Sequence, residues 1–533
     1  MRRRDDGVPA VVRSPAMQRA TAVFALALAI AGTEVRADAP YVPPDFLSVT
    51  PPLPPGQDTN VWRLALSEAL RLAVRQNLGV ALERGEVRIA AHAVDVARGA
   101  FEPTVSADYR HADTDSPPAS SQEGEAGQIF TLIDDGWRIA IGQRFTTGTR
   151  VELDFGNARA RSSLGTAVEP LNYRSTLSLS LTQPLLRGFS PDLAIPRLEV
   201  LRARIASERE RRQLAVTIAT LVEQAESAYW GVLQALFRYD LARRSHQAAT
   251  DQLALTRRQI DAGTLPPSDL IGAESTVAQR DLELVGAEQA IQQASDVLRA
   301  VLHLPRDQWS RPILPIDVPR FAPGALAPEE AFATAIKHRP ELAQLELDLR
   351  ASSLAIQKAD NDRLPQLDLG LTGALVGQDR AYGGALGQLG GADAKGWSVF
   401  VSVAWTPLQR ATAAAAEIAR VSHAQAVLRR EQVVQTVWLE VRAALRDQAG
   451  AQRQVAAAAR FRELAEQSLE IEQRKFVSGT SQNLFVAQRQ DALASARLAE
   501  LDALLVHNRA STALSRATGR LLADRRIELE VGK

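Results

Sequence analysis

Period-two alternation of apolar and polar residues is confined to a few short stretches of this chain, while helical periodicity fills most of the rest. Residues 397–407, WSVFVSVAWTP, place Trp397, Val399, Val401, Val403 and Trp405 on one face. Ser398, Ser402, Ala404 and Thr406 take the other, with Phe400 the exception. Residues 366–375 set Leu367, Leu369 and Leu371 against Asp368, Gly370 and Thr372, and the Gly- and Asp-rich stretch between the two segments reads as an exposed loop. Four more alternating segments lie at 104–110, 137–145, 150–156 and 173–182, the middle two joined by the turn TTGT. In the third, Arg150, Glu152 and Asp154 oppose Val151, Leu153 and Phe155, a polar face suited to a watery lumen. A soluble antiparallel sheet alternates in the same way, so the strands alone leave both readings open. Nine residues at about 3.3 Å span roughly 30 Å. That length, tilted, covers the apolar band of a membrane barrel, and Trp397, Trp405, Trp137 and Tyr173 stand at strand ends where an aromatic girdle belongs.

Between Leu198 and Ala262 apolar residues recur at three- and four-residue steps: Leu198, Leu201 and Ile205, then Ile218, Leu221, Val222, Ala225 and Tyr229. About 65 residues at 1.5 Å rise predict roughly 100 Å of helix. A second long helix is predicted over 411–477, and shorter ones over 268–303 and 482–516. Each apolar stripe is narrow, so stability requires laterally packed neighbours and predicts a homo-oligomer.

The chain is one unit written twice. Glu68/Glu330, Arg88/Arg350 and Pro103/Pro365 recur at a constant offset of 262, within two amphipathic helical patterns that each end at a proline. Downstream, LTQPLLR aligns with AWTPLQR at Pro184 and Pro407, and DAGT aligns with VSGT at Gly263-Thr264 and Gly479-Thr480. The spacing between these marks is 79 residues in the first copy and 72 in the second; the difference is one heptad, which a coil can lose without turning its seam. The first repeat is read over 61–303 (helix 61–100, strands within 103–183, long helix 197–262, helix 268–303). The second spans 326–518 (helix 326–363, strands 366–375 and 397–406, then the two helices above). Proline-rich segments at 40–60 and 304–325 flank the first repeat, and 519–533 is a tail. Gln183-Pro184 and Pro407 mark a strand-to-helix boundary, because proline cannot continue the ladder.

Composition narrows the function class. From Met17, Arg19 precedes the apolar run 20–31 and the motif Ala37-Asp38-Ala39, which reads as an export signal over 1–39 with translation possible from Met17. No later stretch has about 18 apolar residues in a row, so no transmembrane helix is predicted. The 62 basic and 62 acidic residues balance, giving no footprint for nucleic acid. Absence of cysteine excludes disulfides and thiol chemistry. The seven histidines (His92, His111, His246, His303, His338, His423 and His507) have no metal-ligand spacing, and no nucleophile elbow or phosphate loop is present, so no catalytic site, metal or cofactor is expected.

With LSLTQPLLRGF and the repeated helix–Gly-Thr–helix turn, the sequence resembles the outer-membrane efflux protein (TolC) family over about 60–520. The resemblance implies an α+β membrane protein: a trimeric transmembrane β-barrel in outer-membrane lipid, continuous with a long periplasmic α-helical tunnel. It also implies a passive duct that receives cargo from an inner-membrane pump through a periplasmic adaptor. Family members contribute four strands per protomer, whereas four candidates lie in the first copy alone, so hairpin 137–157 either enlarges the barrel or stands outside it. In the family the tunnel narrows near the second Gly turn, where acids six and nine residues after the glycine ring the pore; here those positions are Phe485 and Gln488. Such rings would gate by steric closure and dewetting. The acid of the first turn is Asp269, which also reads as an ordinary first-turn carboxylate, and its pairing position in the second turn is Ser481. Gly263, Thr264, Gly479 and Thr480 mark the tips where an adaptor would dock, and both glycines also read as helix caps. A periplasmic adaptor or an envelope-spanning structural coiled coil is the competing class. An adaptor would carry one helical hairpin and no lipid-facing strands, and a plain porin would lack the 100 Å helices.

Overall fold

The computed structural model describes residues 52–54, 61–117, 129–163, 171–263, 266–324, 326–478, 480–481 and 483–528. The export signal, most of the proline-rich segment 40–60, Thr264 and Gly479 lie outside the described residues. A strand, β1 (Trp62–Leu64), precedes α1 (Leu66–Gln76) and α2 (Leu78–Gly99), where one helix over 61–100 is expected from periodicity. The break falls at Asn77, whose backbone is extended and whose side chain accepts from Gly79 N–H at 2.8 Å and Val80 N–H at 3.4 Å. A capping amide of this kind competes with helix continuation, which apolar periodicity does not register. The break recurs at the 262-residue offset, at Arg339 between α5 (Pro328–His338) and α6 (Pro340–Asp362). There Pro340 occupies the first helical position, where its missing N–H costs nothing.

The alternating segments build a single six-stranded antiparallel sheet. Its strands are β2 (Thr104–Ser116), β3 (Phe130–Arg144), β4 (Arg150–Ser162), β5 (Leu171–Pro184), β7 (Gln366–Asp379) and β8 (Ala394–Ala404). Their spatial order is β2-β3-β4-β5-β7-β8, so the hairpin around TTGT is inserted in the sheet, between β2 and β5. The two repeats join where β5 pairs with β7. The loop read between β7 and β8 contains α7 (Tyr382–Gly391), which folds back on β5 and β7. It lies so close that a Cβ on Gly377 would come within 1.9 Å of the Ala385 carbonyl oxygen, and Tyr382 packs edge-on against Tyr173 at 6.3 Å.

Helices α3 (Leu198–Asp261) and α8 (Arg410–Val477) hold 64 and 68 residues, about 100 Å each. They pair with α4 (Ser268–Leu302) and α9 (Asn483–Ala517), and α10 (Leu521–Asp524) closes the described chain. Leu198 follows Pro184 by 14 residues, whereas Arg410 follows Pro407 by three. The seven-residue difference between the repeats therefore lies in the strand-to-helix passage, partly offset by a longer α8. It is not a heptad removed from the coil.

Small residues let these helices approach closely. Ala331 and Ala335 of α5, Val437, Val441 and Ala444 of α8 and Leu514 of α9 form one buried cluster. Among the described residues no helix is long and apolar enough to cross a membrane. A two-stranded parallel ladder ties the starts of the repeats together: β1 pairs with β6 (Ile313–Pro315), Trp62 opposite Ile313. Tyr229 of α3 clamps this ladder from below and is fully buried. Its hydroxyl accepts from Ile316 N–H at 3.1 Å and Asp317 N–H at 3.2 Å, with Leu64 O and Asp317 Oδ2 each 2.9 Å away. Burial pushes this phenol above its ordinary pKa and keeps it a neutral donor. Tyr229→Phe, which strands the Asp317 N–H while Ile316 N–H keeps Leu64 O at 3.2 Å, is expected to cost about 1–3 kcal/mol. Thermal unfolding of the detergent-solubilised protein checks this; an unchanged midpoint would show that the clamp contributes nothing.

Candidate functional site: a two-faced sheet joined to a helical tip

The register aligns Thr104, Gly142, Glu152, Ser180, Thr372 and Ser398 in one row across all six strands. The next row holds Val105, Ile141, Leu153, Leu179, Gly373 and Trp397. Because side chains alternate, the first row belongs to a polar face and the second to an apolar one. The polar face carries its own ion pairs, with Arg138 Nε 3.1 Å from Asp108 Oδ1 and Arg138 Nη1 3.5 Å from Asp154 Oδ2. Phe400, the apolar exception on this face, stands directly opposite Gly370, and its ring covers the space a side chain there would fill. This aromatic cover of a strand glycine explains both residues at once.

The apolar face is open to its surroundings in the single chain except where α7 covers it at Gly377 and Tyr173, Trp397 being 82% exposed and Val403 66%. Trp137 packs edge-on against Phe155 at 5.4 Å, in the row of Tyr109. Immediately beyond that row the chemistry changes. His111 Nδ1 lies 2.6 Å from Asp135 Oδ1, and Arg159 Nη1 lies 4.0 Å from Asp135 Oδ2. A charged row following an aromatic one is the order found at a membrane–water interface. Of the aromatics singled out by sequence, Trp137 and Trp397 lie on this face, Tyr173 is engaged by α7, and exposed Trp405 stands one residue past β8.

Pro184 is the last residue of β5, opposite Asp368, and Gln183 accepts from the Thr149 hydroxyl while its own amide donates to Pro184 O at 2.7 Å. The turn that follows depends on Asn361, near the end of α6. Its Oδ1 accepts from Gly188 N–H at 2.7 Å, and its Nδ2 donates to Leu186 O at 3.2 Å and Phe189 O at 2.8 Å. Gly188 has φ +87°, a conformation natural to glycine. At the second boundary Pro407 precedes Gln409, whose Nε2 donates to Arg363 O at 2.9 Å. Both exits are thus held by side-chain amides binding the end of α6 to the passage, a role no motif of spacing announces.

At the opposite end of the coils, Gly263 follows α3 with φ +73° and donates to Ile260 O at 2.9 Å. Thr480 closes the second turn, its N–H and hydroxyl donating to Lys475 O at 2.9 and 3.1 Å. Asp269 sits exposed in the first turn of α4, 3.5 Å from the Ser268 hydroxyl. Ser481, at the second turn, donates to Glu472 of its own coil. Phe485 and Gln488 are both exposed and lie three residues apart on α9, hence on one face. Gln488 also lines a cleft of about 260 Å³ with Gln252, Thr256, Gly272 and Thr276.

Two acids on α9, unmarked by any sequence pattern, bind it to the first repeat. Asp491 accepts from Arg280 at 3.0 Å and from the Ser245 hydroxyl at 3.0 Å; Asp502 accepts from Gln234 at 2.7 Å and Arg238 at 3.3 Å. Among the described residues no cluster of His, Asp or Glu is placed to hold a metal.

The model of the outer membrane efflux protein family matches residues 150–302 and 332–520. No curated protein matches the chain. Among solved structures, a membrane protein from Pseudomonas aeruginosa shares 19% identity over 90% of this chain and 96% of its own, with TM-score 0.62. The CmeC outer membrane channel of Campylobacter jejuni shares 13% over 86% of each chain, with TM-score 0.61. The MtrE outer membrane channel of Neisseria gonorrhoeae, in its open state, shares 16% over 86% of this chain and 89% of its own, with TM-score 0.59. With both repeats matched over most of their length, the chain belongs to the outer membrane efflux protein family.

Proposed function

We propose that this protein is the outer-membrane exit duct of a tripartite efflux or type I secretion system, passively conducting cargo from an inner-membrane pump and a periplasmic adaptor to the exterior. The carrying observation is the single sheet with one apolar and one polar face, joined twice through Pro184 and Pro407 to helices about 100 Å long. The apolar face meets outer-membrane lipid, and the polar face lines water. The helices, with narrow apolar stripes and no membrane-spanning segment, extend through the periplasm. In this reading three copies assemble, sheets closing a barrel and coils closing a tunnel. Each protomer offers its turns at Gly263-Thr264 and Gly479-Thr480 to the adaptor. Phe485 and Gln488 ring the narrow end, with Asp269 and Ser481 at its rim.

The assembly is tested by fractionating cells that express the protein. Expected is recovery with outer membrane as a heat-dissociable trimer, and increased sensitivity to exported compounds when the gene is deleted. A monomer recovered in the soluble periplasmic fraction would overturn the reading.

Gating by bulk at Phe485 has its own test. Phe485→Ala removes the aromatic ring, and single-channel current in planar bilayers is expected to rise several-fold. Phe485→Asp is expected to add cation preference, because a ring of carboxylates concentrates cations. Unchanged current and selectivity in both variants would place the constriction elsewhere.

A further inference from the structure

We propose that hairpin β3–β4 is part of the barrel wall, so that three copies close an eighteen-stranded barrel in which β8 of each copy pairs with β2 of the next. The inference rests on the trimeric duct reading and adds what its wall is made of. Within one chain, β3 and β4 are paired on both sides without interruption, over thirteen residues with each other and with β2, and over twelve between β4 and β5. The unpaired edges are β2 and β8, exposed along essentially their whole length. Both carry the apolar face, so in a bilayer their free N–H and C=O groups would meet hydrocarbon, which supplies no hydrogen bonds. Neither edge carries proline or a bulge to blunt it.

Direction and stagger identify the occupant as a second copy. β2 leaves the helical end of the sheet and β8 returns to it, so β8 against a neighbouring β2 is antiparallel, as every pairing within this sheet is. The apolar band also slides across the sheet. It is centred on Ala107 in β2, whose row reaches β8 at Lys395, yet the band in β8 is centred on Val401, six residues further along. Six residues at about 3.3 Å over five strand spacings of about 4.8 Å correspond to strands tilted by about 40°. Closed barrels have this tilt, and a flat soluble sheet has no reason to stagger its apolar residues so.

The family match begins at Arg150, so β2 and β3 lie ahead of it. With four strands per copy a trimer would have twelve. At the same spacing and tilt, eighteen strands give a wall radius of about 18 Å against about 12 Å, roughly doubling the bore. Hairpin β3–β4 carries Arg138, Glu152 and Asp154 on the lumenal face. Selection then falls to the tunnel tip, because the exit itself is wide.

The chain has no cysteine, so introduced pairs stand alone. Ala107→Cys is combined in turn with Val399→Cys, Val401→Cys and Val403→Cys in the full-length protein in outer membrane, under mild oxidation. Expected is a covalent trimer in one register; a product of another size would overturn the strand number through the copy number. Two further pairs separate the wall itself from that question. Ala107→Cys with Leu177→Cys stands three strand spacings apart, about 14 Å, beyond disulfide reach. An intramolecular disulfide there would mean that β3–β4 stands outside the wall. An intermolecular disulfide between Leu153→Cys and Val401→Cys would mean that β2–β3 does. Spin labels at Ile139 and Arg138 of β3 are expected to report lipid and water respectively, and water at both positions would overturn the proposal.

Discussion

Hydrocarbon cannot hydrogen-bond a peptide group, and that constraint orders the whole molecule. A chain without a long apolar helix can enter a bilayer only as strands that satisfy one another, and the described residues contain no such helix. Hence the single uninterrupted sheet, its apolar face, and the end of β5 at Pro184, past which Leu185 N–H still reaches Leu367 O at 2.8 Å before the chain turns away. Beyond the proline the backbone returns to water, where helices satisfy their own backbone groups and side chains need only a narrow apolar stripe. The passage from one regime to the other is short. It is held by Asn361 on one strand exit and Gln409 on the other, amides that bond main-chain groups left by the end of the ladder.

The coils answer a different problem. Alanine at the crossings allows close approach but buries little area, so polar contacts between the repeats settle how they lie together. Arg525, just past the second repeat, donates to Glu226 of the first at 2.7 and 3.1 Å, while within the second repeat Arg462 reaches fully buried Glu500 at 2.7 Å. Removing one partner of such a pair leaves an uncompensated charge, so these contacts specify arrangement more than they add stability. Asp491 and Asp502 do the same between α9 and the first repeat. The parallel ladder of β1 and β6, clamped by Tyr229, fixes where both repeats begin.

Much of this was legible from the residues alone because period is a local property. Leu177, Leu179 and Leu181 announce a face with no knowledge of their partners, and the match of Pro184 to Pro407 announces that the boundary is crossed twice. What escaped depends on distant contact or on competing local chemistry. Asn77 breaks a helical period by capping. Tyr382–Gly391, glycine-rich and short, becomes a helix because it packs on Gly377. Phe400 contradicts its own strand until Gly370 is seen opposite. Asn361 and Asp491 sit in ordinary helical sequence, and only their neighbours 170 to 250 residues away give them a role. The placement of β3–β4 was undecidable for the same reason: alternation reveals two faces, not which strand lies alongside.

The most direct measurement follows β5 across its boundary with single spin labels at Leu177 through Thr182. Expected is strict alternation, oxygen reaching Leu177, Leu179 and Leu181 and a water-soluble relaxant reaching Ser178, Ser180 and Thr182, with the pattern ending at Gln183. Uniform access of the water-soluble relaxant to all six positions, in protein recovered with outer membrane, would contradict a lipid-facing sheet.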